Sequence, residues 1–242
     1  MFNLKGKKAL VTGSTQGIGF AIAQTLAEYG ATVYVHGATS MEKCLSASEK
    51  IAGSIPVCQS LTEKDGADKL YRAVGAVDIL VLNASIQYRK AWDEITQEEL
   101  EAQMQTNFAS SLRLIQLCAP QMKENSWGRI VTVGSVQQYK PHKDLLVYAA
   151  SKAAQMNMVQ NLAKQLAPFG ITVNNLAPGV IATPRNDAAL SDPDYAQKVL
   201  SGIPMGYAGK SEDLSGAALL LCSDSGRYIT GIDLVVDGGM KL

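Results

Sequence analysis

The sequence predicts a doubly wound α/β fold: a parallel sheet of about seven strands with helices on both faces, formed by residues 1–242 as one domain. Three observations carry this expectation. Short β-branched runs alternate with longer helical patterns along the whole chain. Several of those runs are almost continuously apolar, as strands covered on both faces are. The first strand passes into the first helix through a glycine-rich turn.

Each element follows from local chemistry. Strands are expected at Ala9–Thr12, Thr32–His36, Ser54–Cys58, Ile79–Asn83, Arg129–Val133, Ile171–Ala177 and Asp233–Val236. Between them, helices are expected near Ile18–Tyr29, Met41–Ala52, Asp65–Val74, Glu98–Glu124, Leu146–Gln165 and Ser211–Cys222. A strand, helix, strand order requires right-handed crossovers and therefore parallel pairing. Residues 182–210, with Pro184, Pro193 and Pro204, are expected to form a long irregular excursion, of the kind that serves as a lid over a site.

Composition excludes several classes of partner. Lys plus Arg equals Asp plus Glu at 22 each, so neither a nucleic-acid footprint nor an acidic-membrane footprint is expected. Cys44, Cys58, Cys118 and Cys222 are far apart and, with only His36 and His142 available, no metal site is expected. Lys5, Lys7 and Lys8 precede an apolar run too short for a secretion signal, and no segment reaches a membrane span, so a cytoplasmic protein acting on small molecules is expected.

The stretch "VTGSTQGIGFAIA" puts Gly13, Gly17 and Gly19 at a strand-to-helix turn. Glycines let the backbone approach a pyrophosphate, whose charge then meets the helix N-terminus. A purely structural turn is the competing reading. The second strand ends in "VHGATS", with no acid before Glu42 to bond a ribose 2′-hydroxyl, so NADP(H) is favoured over NAD(H).

At the other functional stretch, Tyr148 and Lys152 are separated by one helical turn and share a face. An ammonium beside a phenol favours the phenolate and makes the tyrosine a usable acid or base near neutrality. Alone, such a pair is as readily a solvated helix surface. Ser135, just past the apolar strand "RIVTVG", adds a hydroxyl at the carboxyl edge of the sheet, where such folds bind ligands.

With these residues in hand, the sequence resembles the short-chain dehydrogenase/reductase family over essentially its whole length, which implies a Rossmann-type fold. "TGSTQGIG" matches T-G-x-x-x-G-I-G and "YAASK" matches Y-x-x-x-K, with Ser135 at the family's usual offset. Asn107 corresponds to the asparagine of the family's tetrad, "APGVIAT" to the segment over the nicotinamide, and "VDGG" to the C-terminal signature. The resemblance implies that Tyr148 exchanges a proton with the substrate oxygen, Lys152 lowers the tyrosine pKa and holds a ribose, Ser135 orients the carbonyl, and Asn107 supports a water-linked relay. It implies cofactor contacts from Gly13, Ser14, Gln16, Gly17, Ile18 and Gly19 at the turn. Further contacts fall to Ala38 and Leu61, to Asn83 and Ala84, to Tyr148 and Lys152, and to Pro178, Gly179, Ile181 and Thr183. Substrate contacts fall to Ser135, Gln137, His142 and Tyr148.

Three departures stand out. "LNAS" puts Leu82 and Ser85 where the family has asparagine and glycine, which implies an altered hydrogen-bond network. Ser60 replaces an aspartate that contacts adenine, leaving a Leu61 backbone contact. The stretch from Leu61 to Asp78 is short, which trims the family's fourth helix. Within the family the chain is similar to 3-oxoacyl-carrier-protein reductases and to sugar or polyol dehydrogenases, the former being the expected activity. A carrier protein would want a basic entrance, with Arg89, Lys90, Arg129, Lys140 and Lys143 as candidates. A sugar would want Gln137, Gln138, His142 and Asn186. Apolar faces on the two long helices, with Met156 and Met158, suggest a homo-oligomer, a tetramer by the resemblance. A nucleotide-binding sensor without turnover is the alternative from another class.

Overall fold

The computed structural model describes residues 2–242. Among them, β1 (Lys8–Val11), β2 (Thr32–Gly37), β3 (Ile55–Cys58), β4 (Ile79–Leu82), β5 (Gly128–Val133), β6 (Ile171–Pro178) and β7 (Asp233–Val236) form one sheet. Its order is β3-β2-β1-β4-β5-β6-β7, and every neighbouring pair is parallel. The helices are α1 (Gly17–Glu28), α2 (Met41–Ser48), α3 (Gly66–Val74), α4 (Gln97–Met104), α5 (Ser110–Glu124), α6 (Leu146–Leu166), α7 (Asp187–Leu190), α8 (Pro193–Leu200) and α9 (Ser215–Cys222).

Alternation along each strand builds two cores, one on each face. Ala9, Val11, Ile79, Val81, Val131 and Val133 pack with Ile22 and Leu26 of α1 and Leu219 and Leu221 of α9. Leu10, Leu80, Leu82 and Ile130 point the other way, onto Leu70 of α3, Leu114 of α5 and Val159 of α6. Both faces are covered, which is why the central strands are largely apolar: β5 and β6 are buried at every position.

The strands fall within one residue or so of their expected bounds, but four expectations outside the sheet change, the first being that the helix expected at Ser211–Cys222 opens as a 3-10 turn over Ser211–Leu214 before α9. The stretch Glu98–Glu124 is helical throughout but not one uniform α-helix: a π turn over Gln105–Ala109, which holds neither glycine nor proline to announce it, lies between α4 and α5. The helix expected to reach Ala52 stops at Ser48. The expected irregular excursion holds α7 and α8, and a bridge between Ile181 and Gly209 ties its two ends together. Between β3 and β4, α3 is nine residues long.

Arg129 does not join a basic entrance. It lies at the start of β5, the edge away from the strands' carboxyl ends, and is 2% exposed. Its guanidinium donates to the carbonyls of Ser223 (3.1 Å), Gly128 (2.8 Å) and Gly170 (3.2 Å) and to the Asp224 carboxylate (2.9 Å). The Trp127 ring stacks on it, with the guanidinium carbon 4.3 Å from the ring centre. A fork of donors joining three backbone segments is a structural clamp. Arg129→Ala is expected to lower the unfolding free energy by at least about 3 kcal/mol, since each stranded buried carbonyl costs about 1–3 kcal/mol. Urea unfolding measures it, and a loss under about 1 kcal/mol would mean that the clamp is dispensable.

Candidate active site

Strand order reverses between β1 and β4, so their outgoing loops part and leave a crevice at the carboxyl edge. The Thr12 hydroxyl accepts the backbone N–H groups of Asn83 and Ala84, each at 3.0 Å. The Asn83 amide donates to the carbonyls of Thr12 and Gly13, each at 2.9 Å. This clasp fixes the glycine turn against β4. Gly13 sits at φ +64°, and a Cβ on Gly19 would lie 2.4 Å from the Asn83 amide nitrogen, so neither position admits a side chain. Leu82, one of the departures, is buried in the core of α3, α5 and α6, and it is Asn83 that ties β4 to the glycine turn.

A cavity of about 410 Å³ opens over this turn. Its wall includes Gly13, Gln16, Gly17, Ile18 and Gly19, together with Ala38, Leu61, Asn83 and Ala84. Pro178, Gly179, Ile181 and Thr183 close it from the β6 side. Ser14 is the exception among the expected cofactor contacts. It is fully buried, donates to the Val11 carbonyl (2.6 Å) and accepts from the His36 backbone (2.9 Å), so it braces the turn from behind while Thr15 takes the wall position. A narrow glycine-lined approach beside the N-terminus of α1 fits a dinucleotide pyrophosphate.

Ser135, Tyr148 and Lys152 converge on the same cavity. Ser135 caps a short turn after β5 and its hydroxyl oxygen accepts from the Gln137 backbone (3.2 Å), which leaves its own proton free to donate. Tyr148 and Lys152 occupy successive turns of α6, the ammonium 5.7 Å from the phenol ring centre. Lys152 is 1% exposed and donates to the Val133 carbonyl (2.7 Å) and the Gln155 amide oxygen (3.0 Å). Burial, with a smaller push from Arg185, brings its pKa down to about 7.

Asn107 is fully buried in the π turn and does not line the cavity; Thr106 does. The Asn107 side chain accepts from the Ile86 N–H (2.9 Å) and donates to the Ile86 carbonyl and the Ser151 hydroxyl, each at 3.0 Å. It therefore pins the loop after β4 to α6. Its own carbonyl accepts from Ser111 (3.2 Å).

The far end of the cavity is polar. Gln87, Arg89, Gln137, His142, Arg185 and Asn186 line it, and Arg89 approaches the His142 ring at 3.4 Å. Burial and that guanidinium hold His142 below its usual pKa. Gln138 is not part of this set, because its amide donates to Asp233 at 2.5 Å. Lys90 pairs with Glu99 at 2.8 Å, and Lys140 donates to the Met240 carbonyl at 3.3 Å. Arg185 comes from the excursion and bonds the Ser85 hydroxyl (3.0 Å) and carbonyl (2.7 Å), so the departure at Ser85 supplies its anchor. Neither Arg185 nor Gln155 is suggested by a motif; Gln155 had one available signal, its place one helical turn after Lys152 on the same face.

His36, on the cavity wall beside Gly13 and Gly37, is also absent from the motifs. Its Nδ1 accepts the Gly13 N–H (3.0 Å), so Nε2 carries the proton and donates to the Gln59 carbonyl (2.8 Å). Burial lowers its pKa from 6.5 to about 4. A base with a depressed folded pKa is protonated more readily when unfolded, so stability is full above pH 6.5 and falls as pH drops through the window to 4. The loss across that window is expected to reach about 3 kcal/mol, from about 1.4 kcal/mol per pKa unit. Urea unfolding at several pH values measures it; His36→Gln should flatten the dependence, and an equal slope in that variant would assign the loss elsewhere.

Comparison with known proteins agrees with this geometry. A family model described as Enoyl-(Acyl carrier protein) reductase matches residues 13–241. A 3-oxoacyl-[acyl-carrier-protein] reductase from Aquifex aeolicus is 36% identical over 98% of this chain and 98% of its own length. A gluconate 5-dehydrogenase from Gluconobacter oxydans is 33% identical over 100% of this chain and 97% of its own. The crystal structure of a 3-oxoacyl (acyl-carrier-protein) reductase from Agrobacterium tumefaciens C58 with NADP bound superimposes at a TM-score of 0.93, with 36% identity over 98% of this chain and 95% of that one. Full-length relatives of this kind and a glycine turn facing a serine, tyrosine and lysine across one crevice have a single explanation: the chain belongs to the short-chain dehydrogenase/reductase family, oxidoreductases acting on CH–OH and C=O groups.

Proposed function

We propose that the protein is an NADP(H)-preferring dehydrogenase that interconverts a secondary alcohol and a ketone on a hydroxylated, anionic substrate of the sugar-acid type. The composition of the cavity wall carries this reading. Its charged side chains, Arg89, Lys152 and Arg185, are all cationic, and the buried Gln137 Oε1 is an acceptor with no partner among the described residues, suited to a substrate hydroxyl. Among the described residues, the wall near Gly37 and Ala38 has no carboxylate to repel a 2′-phosphate, which supports NADP(H) over NAD(H).

When bound, the nicotinamide supplies or takes up the hydride. The chain's own groups handle the oxygen. The Ser135 hydroxyl donates to it and fixes its direction, while the Tyr148 hydroxyl gives or takes its proton. The Lys152 ammonium, almost without water around it, stabilises negative charge on Tyr148 and offers its remaining N–H toward a ribose hydroxyl. Asn107 acts through its position, holding the Ile86 backbone against α6. Residues 182–210 act as a lid, with the Arg185 to Ser85 contact as its fastening.

A second reading, reduction of 3-oxoacyl thioesters, is favoured by the apolar lining from Ile86, Leu145, Leu190 and Val199. The basic entrance that an acidic carrier would want is thinner than expected, with Arg129 buried and Lys90 paired to Glu99. The apolar face around Phe108, Leu112 and Leu162 supports self-association; light scattering that returned the mass of one chain would rule it out.

Fluorescence titration is expected to give at least tenfold tighter binding of NADPH than of NADH, a difference of about 1.4 kcal/mol. Tighter NADH binding would overturn the cofactor preference. In turnover assays, keto- and hydroxy-aldonates should outperform acetoacetyl thioesters, and the reverse ranking selects the second reading. Tyr148→Phe should keep nucleotide affinity and lose about 10²- to 10⁴-fold in kcat, as loss of a general acid–base group does; unchanged turnover would remove Tyr148 from the chemistry.

A further inference from the structure

Lys152 is a buried cation whose partners are unusual. Among the described residues, no acid lines the cavity around it. A charged ammonium has three protons to place, and the chain accepts two of them, at the Val133 carbonyl (2.7 Å) and at Gln155 Oε1 (3.0 Å). Gln155 is fully buried on α6, one turn beyond Lys152. Its orientation is not free. The ammonium can only donate, so the amide oxygen must face it, and the amide nitrogen donates to the Ser111 hydroxyl (3.2 Å). Ser111 in turn donates to the Asn107 carbonyl (3.2 Å) in the π turn. Every bond in this chain runs the same way, from the ammonium to Gln155, to Ser111, to Asn107. Because each donor polarises the next acceptor, the chain strengthens the negative end that faces Lys152.

We propose that Gln155 is a positioning residue of this site: its amide oxygen holds the Lys152 ammonium against the Val133 carbonyl, and its amide nitrogen anchors that hold to the π turn through Ser111. This goes beyond the motif, which contains no such residue, and rests on the reading of Tyr148 and Lys152 as the working pair. Gln155 does not pass a proton. An amide accepts at oxygen and donates at nitrogen, so the proton that leaves Tyr148 exits on the cavity side of Lys152. The role of Gln155 is to hold the ammonium in place beside Tyr148.

The test reads Tyr148 directly and needs no substrate. Phenolate absorbance near 295 nm is titrated against pH, and the curve of the matching Tyr148→Phe protein is subtracted. The charged groups that bear on the reading are Lys152 itself, Arg185 from the excursion, and Arg89 and His142 across the cavity, all retained in the variants below that keep Lys152. Gln155→Met keeps the volume and removes the acceptor. It is expected to move the Tyr148 titration upward by about one pH unit, a tenfold fall in phenolate at fixed pH. The same substitution in a Lys152→Met background should move it no further. An unmoved titration in folded Gln155→Met protein overturns the proposal, and so does an equal shift in both backgrounds. If Gln155→Met does not fold, Ser111→Ala, which frees the amide without touching the lysine, should shift the titration in the same direction, and no shift overturns the proposal. Should Lys152→Met alone leave Tyr148 unmoved, the pairing of tyrosine and lysine fails instead, and the two failures are thereby distinguished.

Discussion

Parallel strands carry their outgoing loops to one edge, and where the strand order reverses between β1 and β4 those loops must part. That crevice is the constraint on which the remaining structure depends. The glycine turn leaves β1 into it, Ser135 follows β5 into it, and Pro178 and Gly179 close it from the end of β6. Where β1 and β4 end, backbone donors and acceptors lose their ladder partners, and here the Thr12 hydroxyl and the Asn83 amide satisfy them between the two parting loops. His36 does the same from the β2 side, joining Gly13 to the Gln59 carbonyl beyond β3. The turn is held by three strands before any ligand arrives, which is what preorganised binding requires.

Charge inside the crevice follows one sign. Among the described residues the lining has cations and no carboxylates, an arrangement that opposes folding unless each cation is fed with acceptors or reaches water. Lys152 takes the first route, with a backbone carbonyl and an amide oxygen in place of a counter-ion. Burial and Arg185 depress its pKa, and a neutral partner leaves that cost uncompensated while placing no opposing charge beside Tyr148. A carboxylate there would have held the lysine more firmly. Arg129 shows the contrast at the opposite edge of the sheet. There a buried guanidinium meets three carbonyls and an acid, and its effect stays structural.

Much of this was legible in the sequence. Strands at Ile79–Leu82 and Gly128–Val133 were marked by runs rich in Ile, Leu and Val, because burial on both faces favours apolar side chains at successive positions. The glycine turn, Ser135, Tyr148 and Lys152 were marked by spacing, since a turn and a helix fix neighbours within a few residues. The π turn at Gln105–Ala109 was not, because it holds neither glycine nor proline and its residues fit an ordinary helical pattern. Ser14 looked like a cofactor contact from its place in the motif and turned inward, since a hydroxyl at a tight turn finds a nearer partner in the Val11 carbonyl.

What the sequence determined by itself is therefore local: which segments are strands, where the backbone turns tightly, and which side chains lie one helical turn apart. Only the tertiary structure decided which of those side chains meet. Arg185 reaches Ser85 across 100 positions of chain, Gln155 reaches Ser111 across 44, and Arg129 is carried away from the entrance to the opposite edge of the sheet. The physical reason is that helical and strand periodicity act over a few residues, whereas the partners of a buried polar group are supplied by whichever element packs against it.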